Sequence, residues 1–241
     1  MRYVIVSDIH GNLEALQAVV MECQKLQIQT FLCIGDVVGY GASPKECINL
    51  LGKIKAKVVA GNHDWAVSGR LDASYFTEDG KAAVEWTRSQ ISFETIQALS
   101  NLPLVYKNQD LILVHATLHS PERFIYMEDY EKAQATFELM DKSICFVGHT
   151  HVPQIYVQQN GKIYLLPQQE IEVNLENKYI INVGSVGQPR DENPMASFCI
   201  YDTNAQLVEI RRVQYNIKEA QRKIKEAGLP LTLASRLDLG K

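Results

Sequence analysis

The sequence has no apolar stretch approaching the roughly 20 residues that a bilayer span needs, so no membrane partner is predicted. Its first apolar run is interrupted by Asp8 and His10, which argues against a signal peptide and favours a cytoplasmic protein. An excess of positive charge is also missing, because 24 Lys and Arg face 28 Asp and Glu, a net charge of −4. General binding of nucleic acid is therefore not expected. These features leave the oligomeric state open.

Paired cysteine motifs are absent as well. The five cysteines are widely spaced and lie inside apolar stretches, which predicts buried free thiols in a reducing compartment. No Pro/Gly/Ser-rich linker divides the 241 residues, of which 46% are hydrophobic. We therefore expect one domain over residues 1–241.

Hydrophobic periodicity predicts an α/β first half and a β-rich second half packed together. β-type runs are found at residues 3–6, 31–34, 58–60, 111–114 and 144–147. A mostly helical insertion is predicted around residues 65–101, and an amphipathic C-terminal helix around 216–227. Between residues 154 and 213 short alternating strands are expected, with a hairpin at Asn160-Gly161.

Potential metal ligands follow these predicted strands directly, and in an open α/β sheet such positions converge on one edge. The seven donors are Asp8, His10, Asp36, Asn62, His115, His149 and His151. Seven donors are too many for one tetrahedral zinc site, which uses four ligands. They suit two ions that share a carboxylate, roughly 3.5–4 Å apart, as in displacement at phosphorus.

Each motif taken alone has another explanation. Asp8-Ile9-His10 occurs by chance, Gly35-Asp36 is a common turn, and a histidine such as His115 at a strand end is often only hydrogen-bonded. Burying all these groups together without cations would cost several kcal/mol for each unpaired ion. The combination therefore predicts metal binding.

The order of the motifs resembles the calcineurin-like metallophosphoesterase superfamily. The matching blocks are Asp8-Ile9-His10, Gly35-Asp36, Gly61-Asn62-His63-Asp64, His115 and Gly148-His149-Thr150-His151. Gly39-Tyr40-Gly41 and residues 182–190 and 227–230 resemble its small single-domain bacterial and archaeal phosphodiesterase branch. The resemblance implies a four-layer αββα sandwich, two mixed β-sheets face to face with helices outside.

The resemblance also implies roles for individual residues. Asp8, His10 and His151 would hold one metal, Asn62, His115 and His149 the other, and Asp36 would bridge them. His63 would be the catalytic histidine beside the metals. Asp64 would orient or charge the His63 imidazole, or alternatively cap the helix that follows.

The implied activity is hydrolysis of phosphoesters by two divalent ions and a bridging hydroxide. Mn²⁺ is favoured, and Fe, Ni, Co or Zn would also suit the mixed ligands. Relatives that act on phosphoproteins continue Gly-Asp with Asp-Arg-Gly, whereas Val37 and Val38 follow here. A phosphodiesterase or nucleotide-anhydride hydrolase is therefore predicted. The alternatives are a phosphomonoesterase, including a serine/threonine phosphoprotein phosphatase, and a non-catalytic nucleotide-binding or scaffold protein.

A small phosphodiester or a nucleotide is the expected substrate, with Arg190, Asn12 and Tyr40 as candidate contacts. Arg190 suits bidentate binding of phosphate, but it could instead pair with Asp191 or Glu192. Asn12 could instead cap the first helix. Aromatic residues of the insertion could stack on a nucleobase or pack in the core; they are Trp65, Tyr75, Phe76 and Trp86.

Overall fold

The computed structural model describes residues 1–241 as twelve strands and eight α-helices. The strands are β1 Arg2–Val6, β2 Thr30–Cys33, β3 Lys57–Val58, β4 Val105–Lys107, β5 Ile112–Val114, β6 Ile144–Val147, β7 Gln154–Gln159, β8 Lys162–Leu166, β9 Glu170–Glu172, β10 Lys178–Asn182, β11 Ala196–Asp202 and β12 Leu207–Val213. The helices are α1 Leu13–Lys25, α2 Pro44–Lys53, α3 Asn62–Ser68, α4 Glu78–Gln90, α5 Phe93–Ser100, α6 Tyr130–Leu139, α7 Ile217–Glu226 and α8 Leu231–Ser235.

Two mixed sheets of six strands each form the centre of the fold. Sheet I has the order β3-β2-β1-β11-β12-β9, and sheet II has the order β4-β5-β6-β10-β7-β8. The strands β1, β2 and β3 are parallel to one another in sheet I, as are β5, β6 and β10 in sheet II. Antiparallel strands complete each sheet, and all of them except β4 come from the second half of the chain.

Alternating side chains of β1 divide the core into layers. Tyr3 and Ile5 point toward sheet II and share a cluster with Leu113 and Phe146. Val4 and Val6 point to the other face, where they pack in a cluster with residues of α1 and α2. Such alternation is what a strand produces when both of its faces are covered.

Sheet II is covered on its outer face by α6. Phe137 of this helix is fully buried in a cluster with Ile112, Cys145 and Ile180 of the sheet. The order of layers is therefore helices, sheet I, sheet II and helix. This confirms the predicted four-layer αββα sandwich of two mixed sheets.

Most predicted elements are present, with shifts at their ends. Most of the helical insertion predicted around residues 65–101 is two helices, α4 and α5, and the Ser92 side chain caps the second by accepting from Thr95 N. Asn160 and Gly161 both have positive φ, as a two-residue hairpin turn requires. The organisation as one domain stays a prediction. No helix in the structure has both the length and the apolar character needed to cross a bilayer.

Candidate metal centre

The loops that follow the parallel strands of both sheets meet at one end of the sandwich. The backbone N–H of His10 donates to the Asp36 carbonyl at 2.9 Å, and that of Gly148 to the His115 carbonyl at 2.9 Å. A bond between the sheets runs from the backbone N–H of His149 to Oδ2 of Asp8 at 3.0 Å. Strand ends that are joined in this way hold their side chains in fixed relative positions.

Five of the predicted ligands have left-handed backbone conformations. Their φ angles lie between 49° and 68°, at Asp8, His10, Asp36, His149 and His151. Residues other than glycine seldom adopt this region, at a cost of roughly 1–2 kcal/mol each. Such backbone strain concentrates at functional sites, where the surrounding structure holds it in place. The loops are therefore shaped to present these side chains.

One cluster contains Asp8, His10 and His151, all buried. Nε2 of His151 lies 3.2 Å from Oδ1 of Asp8 and 3.1 Å from Nε2 of His10. Nε2 of His10 lies 3.8 Å from the same Asp8 oxygen. The three donor atoms thus surround one point.

A second cluster forms around His115, whose Nε2 lies 3.1 Å from Nδ1 of His149 and 3.2 Å from Oδ1 of Asn62. Asp36 joins the two clusters. Its Oδ2 lies 3.3 Å from Nε2 of His115 and 3.7 Å from Nε2 of His10. One carboxylate therefore lies between two sets of nitrogen and oxygen donors.

Backbone carbonyls orient three of the imidazoles. Nδ1 of His10 binds the Val38 carbonyl, Nδ1 of His115 the Ile34 carbonyl, and Nδ1 of His151 the Gln188 carbonyl, at 3.2, 2.7 and 2.6 Å. A carbonyl only accepts, so each Nδ1 carries a hydrogen and each Nε2 points into the site, in His10 and His151 with its lone pair free. Metal-binding histidines are oriented in the same way.

The donor set fits divalent cations. Oδ1 of Asp8 is buried without a hydrogen-bond donor, although it faces the imidazoles. The Nε2 lone pairs of His10 and His151 face each other, as a shared cation would require. Mixed imidazole, carboxylate and amide donors suit several first-row metals.

Burial lowers the pKa of most histidines in the site, to about 4 for His63 and about 3 for His149. The pKa values of His10 and His151 are also lowered, chiefly by burial. Neutral imidazole is the form that binds metals, so these rings suit coordination at neutral pH.

His115 differs from the other histidines of the site. Burial lowers its pKa, but the charge of Asp36 and a hydrogen bond with it raise the pKa to about 9. Burial likewise raises the pKa of Asp36 and Asp8, yet neighbouring imidazoles, led by His115 and His151 respectively, lower both below the ordinary value. Both carboxylates are therefore ionised at neutral pH and available to cations.

His63 lies at the start of α3, where its backbone N–H donates to Oδ1 of Asp36 at 2.8 Å. Its ring centroid is 4.7 Å from that of His10 and 4.4 Å from that of Tyr40. One ring nitrogen of His63 also comes within 4.8 Å of donors of His10 and Asp36, so geometry alone permits it as a ligand. Its placement beside the ions stays a prediction.

Asp64 binds backbone rather than the His63 imidazole. Its Oδ1 accepts from the N–H groups of Val37 and Val38 at 3.0 and 3.3 Å, and its Oδ2 accepts from Gly61 N at 3.0 Å. Asp64 is therefore not the residue before the helix, as the capping alternative assumed, but the third residue of α3, and its side chain reaches back to the N–H of the N-cap residue Gly61. The carboxylate thus ties the loop after β2 to the turn that carries His63.

Comparison with known proteins identifies the family. The sequence model of the calcineurin-like phosphoesterase superfamily domain matches residues 1–206. The chain belongs to this superfamily. Phosphoesterase activity and divalent metals are the properties that this membership supports, and the clustered Asp and His side chains agree with it.

Similar proteins cover the chain from end to end. A metallophosphoesterase structure from Sphaerobacter thermophilus has 37% identity and a TM-score of 0.88, covering 100% of both chains. An uncharacterized protein of Methanocaldococcus jannaschii is 40% identical over 242 residues, 98% of this chain and 97% of that protein. A hypothetical protein of Pyrococcus horikoshii has 18% identity and a TM-score of 0.82, covering 100% of this chain and 98% of that one, and shows the shared fold.

Glycines allow the loops of this phosphoesterase to pack closely. A Cβ atom on Gly61 would lie 2.0 Å from Oδ1 of Asp36, and one on Gly148 would lie 2.0 Å from Oγ of Ser7 and 2.5 Å from Oδ2 of Asp8. Both distances are far below van der Waals contact. Glycine is therefore required at both positions, because the carboxylates of Asp36 and Asp8 lie too close to leave room for a Cβ atom.

The predicted substrate contacts have different surroundings in this phosphoesterase. The Arg190 guanidinium lies 5.9 Å from the centroid of the Tyr40 ring, which itself is 4.5 Å from the His10 ring. The ion-pair alternative for Arg190 is not formed, because Asp191 pairs with Arg212 instead. Nε of Arg190 is buried without a partner.

Asn12 is engaged within the protein at both ends of its amide. Its Oδ1 accepts from Ala15 N at 3.1 Å, which caps α1, and its Nδ2 donates to the Gly187 carbonyl at 2.9 Å. The capping alternative is thus present in the structure. A contact with substrate stays a prediction.

Sequence reasoning missed the aromatic residues of the loop between β5 and α6. The Tyr126 ring stacks on the His149 imidazole with centroids 3.9 Å apart, and Phe124 lies 5.9 Å from the His115 ring. This loop has no periodic pattern, and its aromatic residues follow His115 by about ten positions. The presence of several aromatic residues after a motif histidine is the sequence feature that could have indicated this contact.

Proposed function

We propose that the protein is a two-metal hydrolase of phosphodiesters or nucleotide anhydrides. The observation that carries the proposal is the position of Asp36, whose carboxylate lies 3.3 Å from His115 and 3.7 Å from His10. A shared carboxylate between two donor clusters is the arrangement of two-metal phosphate sites. Family membership supports the phosphoester chemistry.

In this proposal Asp8, His10 and His151 would hold one divalent ion, Asn62, His115 and His149 would hold the second, and Asp36 would contribute to both sites. When bound, such ions act as Lewis acids toward a phosphoryl oxygen and lower the pKa of water. Among the metals that this donor set suits, we favour Mn²⁺ over Fe, Ni, Co and Zn. Removing the ions should therefore abolish activity.

His63 would protonate or stabilise the leaving oxygen, and because its pKa is lowered to about 4 the neutral ring would act by donating its N–H. Its ring lines the cavity at the metal centre, and its Nδ1 is buried without a hydrogen-bond partner. Asp64 acts as a positioning residue, because it fixes the backbone of the turn from which His63 projects. Asp64 therefore acts on the reaction only through the His63 imidazole that it positions.

Arg190 and Tyr40 would contact the phosphate oxygens of the substrate. The guanidinium has donors arranged for two phosphate oxygens, and its buried Nε lacks a partner in the protein. The Asp-Arg-Gly triplet of phosphoprotein phosphatases, with its arginine, is missing here, where Gly35-Asp36 runs into Val37-Val38-Gly39-Tyr40-Gly41. Without this arginine the site has fewer cationic side chains, so it fits a substrate phosphate with fewer negative charges, such as a phosphodiester.

The proposal is tested with purified protein loaded with Mn²⁺ and assayed on bis(p-nitrophenyl) phosphate and p-nitrophenyl phosphate. We expect release of nitrophenol that EDTA stops, with the diester hydrolysed faster. Faster cleavage of the monoester would make the protein a phosphomonoesterase. Absence of chelator-sensitive release from either compound would leave only a binding or scaffold function.

A further inference from the structure

A cavity of about 570 Å³ opens beside the metal centre, lined at its buried end by His63 and His149. Besides Tyr40, which follows β2, two further segments supply aromatic side chains to it. They are Tyr75 and Phe76, between α3 and α4, and Phe124 and Tyr126, between β5 and α6.

Two of these aromatic rings contact imidazoles of the centre directly. Tyr126 stacks on His149 with ring centroids 3.9 Å apart and planes 22° apart. Phe76 packs edge-on against His63, with centroids 4.7 Å apart and planes at 90°. An apolar aromatic surface therefore begins at the metal centre and continues into the cavity.

Solvent exposure distinguishes the two tyrosines of the cavity, Tyr75 and Tyr126, from core residues. Phe124 is only 6% exposed, but Tyr126 is 43% exposed and Tyr75 is 85% exposed. Large apolar side chains at the rim of a cavity contribute little to folding and mark places where ligands bind. Trp65, in contrast, is 7% exposed and packs at right angles to Phe124, so it serves the core.

The cavity has the size and polarity of a small-molecule site. Its volume falls within the range of about 300–1,000 Å³ that is usual for ligand pockets. Asn62, Thr77, Glu122 and Arg123 add polar groups to the aromatic lining. Flat heteroaromatic rings with polar edges match such a lining, and stacking on aromatic side chains accepts every nucleobase.

We propose that this aromatic cavity binds the base of a nucleotide whose phosphate lies at the metal centre. The inference rests on the proposed phosphoesterase function and narrows its substrates to phosphoesters and anhydrides of nucleosides, held by their base. Tyr75 and Tyr126 are the stacking residues. Specificity for the base would then come from the polar groups of the lining.

Calorimetric binding of AMP and ribose 5-phosphate to the Mn²⁺-loaded protein tests the inference. The two compounds share the phosphate and the sugar, so their difference reports the base alone. We expect AMP to bind at least about tenfold more tightly. Equal affinities would overturn the base-binding role while leaving the phosphate site standing. If ribose 5-phosphate does not bind and bis(p-nitrophenyl) phosphate is not hydrolysed, the proposed function fails as well.

Substitutions of the stacking tyrosines test whether the base binds in this cavity. Tyr75→Ala should weaken AMP binding by about threefold to tenfold and leave ribose 5-phosphate unchanged, because the exposed ring contacts only the base. Tyr126→Leu should act in the same direction, and Tyr126→Phe should retain wild-type affinity. The matched control is Tyr164→Ala, since Tyr164 is 47% exposed in β8 and does not line the cavity. Equal weakening of both ligands by Tyr75→Ala would contradict the proposal.

Discussion

The Nε2 atoms of His10 and His151 lie 3.1 Å apart, while the other nitrogen of each ring binds a backbone carbonyl. Two lone pairs therefore face each other in a buried site. Their repulsion is relieved by a cation between them. The folded state should thus gain stability from metal binding, because an unfolded chain cannot present this pair.

We expect Mn²⁺ to raise the melting temperature. An ion present at about 100 times its Kd adds about 2.7 kcal/mol of stability. For a chain of this size that corresponds to a rise of roughly 5–10 °C. Differential scanning calorimetry with Mn²⁺, and again after EDTA, measures the shift. A melting temperature indifferent to both additions would contradict the prediction.

Histidine substitutions provide a matched comparison for this shift. His151→Ala removes one of the facing nitrogens and should abolish much of the rise. His119→Ala should retain it, because His119 is exposed and belongs to neither donor cluster. Equal behaviour of the two variants would show that the ion binds elsewhere.

Asp36→Asn should lower the content of both metals. The amide keeps an oxygen that can accept from His63 N but loses the charge between the clusters. We expect fewer than one ion per chain by plasma mass spectrometry and a loss of turnover above roughly 100-fold, since even supporting residues of metal sites cost 10- to 100-fold. Asp141→Asn is the control, because this exposed carboxylate pairs only with Lys107 at the surface.

The strands, and the meeting of the predicted ligands at one sheet edge, could be predicted from local pattern, whereas the four-layer sandwich and the division of the ligands between two ions were implied by the resemblance to the superfamily. Continuous apolar runs identify strands such as β1 and β6, and each metal-type residue stands one to four positions beyond a strand. The edge at which parallel strands end then brings the residues together. Nothing in this reasoning required knowledge of contacts between distant side chains.

Contacts over long sequence separations could not be predicted in this way. Asp64 binds the backbone of Val37, 27 residues earlier, and the motif alone left capping and orientation of His63 equally open. Tyr126 reaches His149 from a loop without periodicity. Such contacts depend on how the loops pack, which propensity and periodicity do not determine.

His63→Ala should slow substrates in proportion to the basicity of their leaving group. A nitrophenolate needs little help to leave, whereas an alkoxide needs a proton. We expect kcat/KM to fall far more for an alkyl ester than for bis(p-nitrophenyl) phosphate, with metal content near that of the wild type. Equal losses on both substrates would refute the role as proton donor. Loss of metal would instead make His63 a ligand.

Asp64→Asn should destabilise the protein and disturb His63 indirectly. One amide end can replace Oδ1, but the other would turn an NH₂ group toward the N–H of Gly61, leaving buried donors unpaired. Such a mismatch costs about 1–3 kcal/mol. Urea unfolding of the metal-free variant measures this cost. The kcat for alkyl esters should fall more than KM changes, whereas unchanged stability would exclude the loop-tying role.

The cysteines should be unreactive in the folded protein. All five are free and buried, and burial raises the pKa of Cys23 to about 12 and the pKa values of the other four as well. A raised pKa reduces the thiolate fraction, so at pH 8 almost no reactive sulfur is present. We expect no rapid reaction with dithiobis(nitrobenzoate) in buffer and five equivalents in guanidinium chloride.

Because Cys33 ends β2 just before Ile34, whose carbonyl binds His115, bound metal should slow the modification of Cys33 further. A fast native equivalent would contradict the burial of the thiols, and a Cys33 rate indifferent to Mn²⁺ would show that this strand end opens independently of the metal centre.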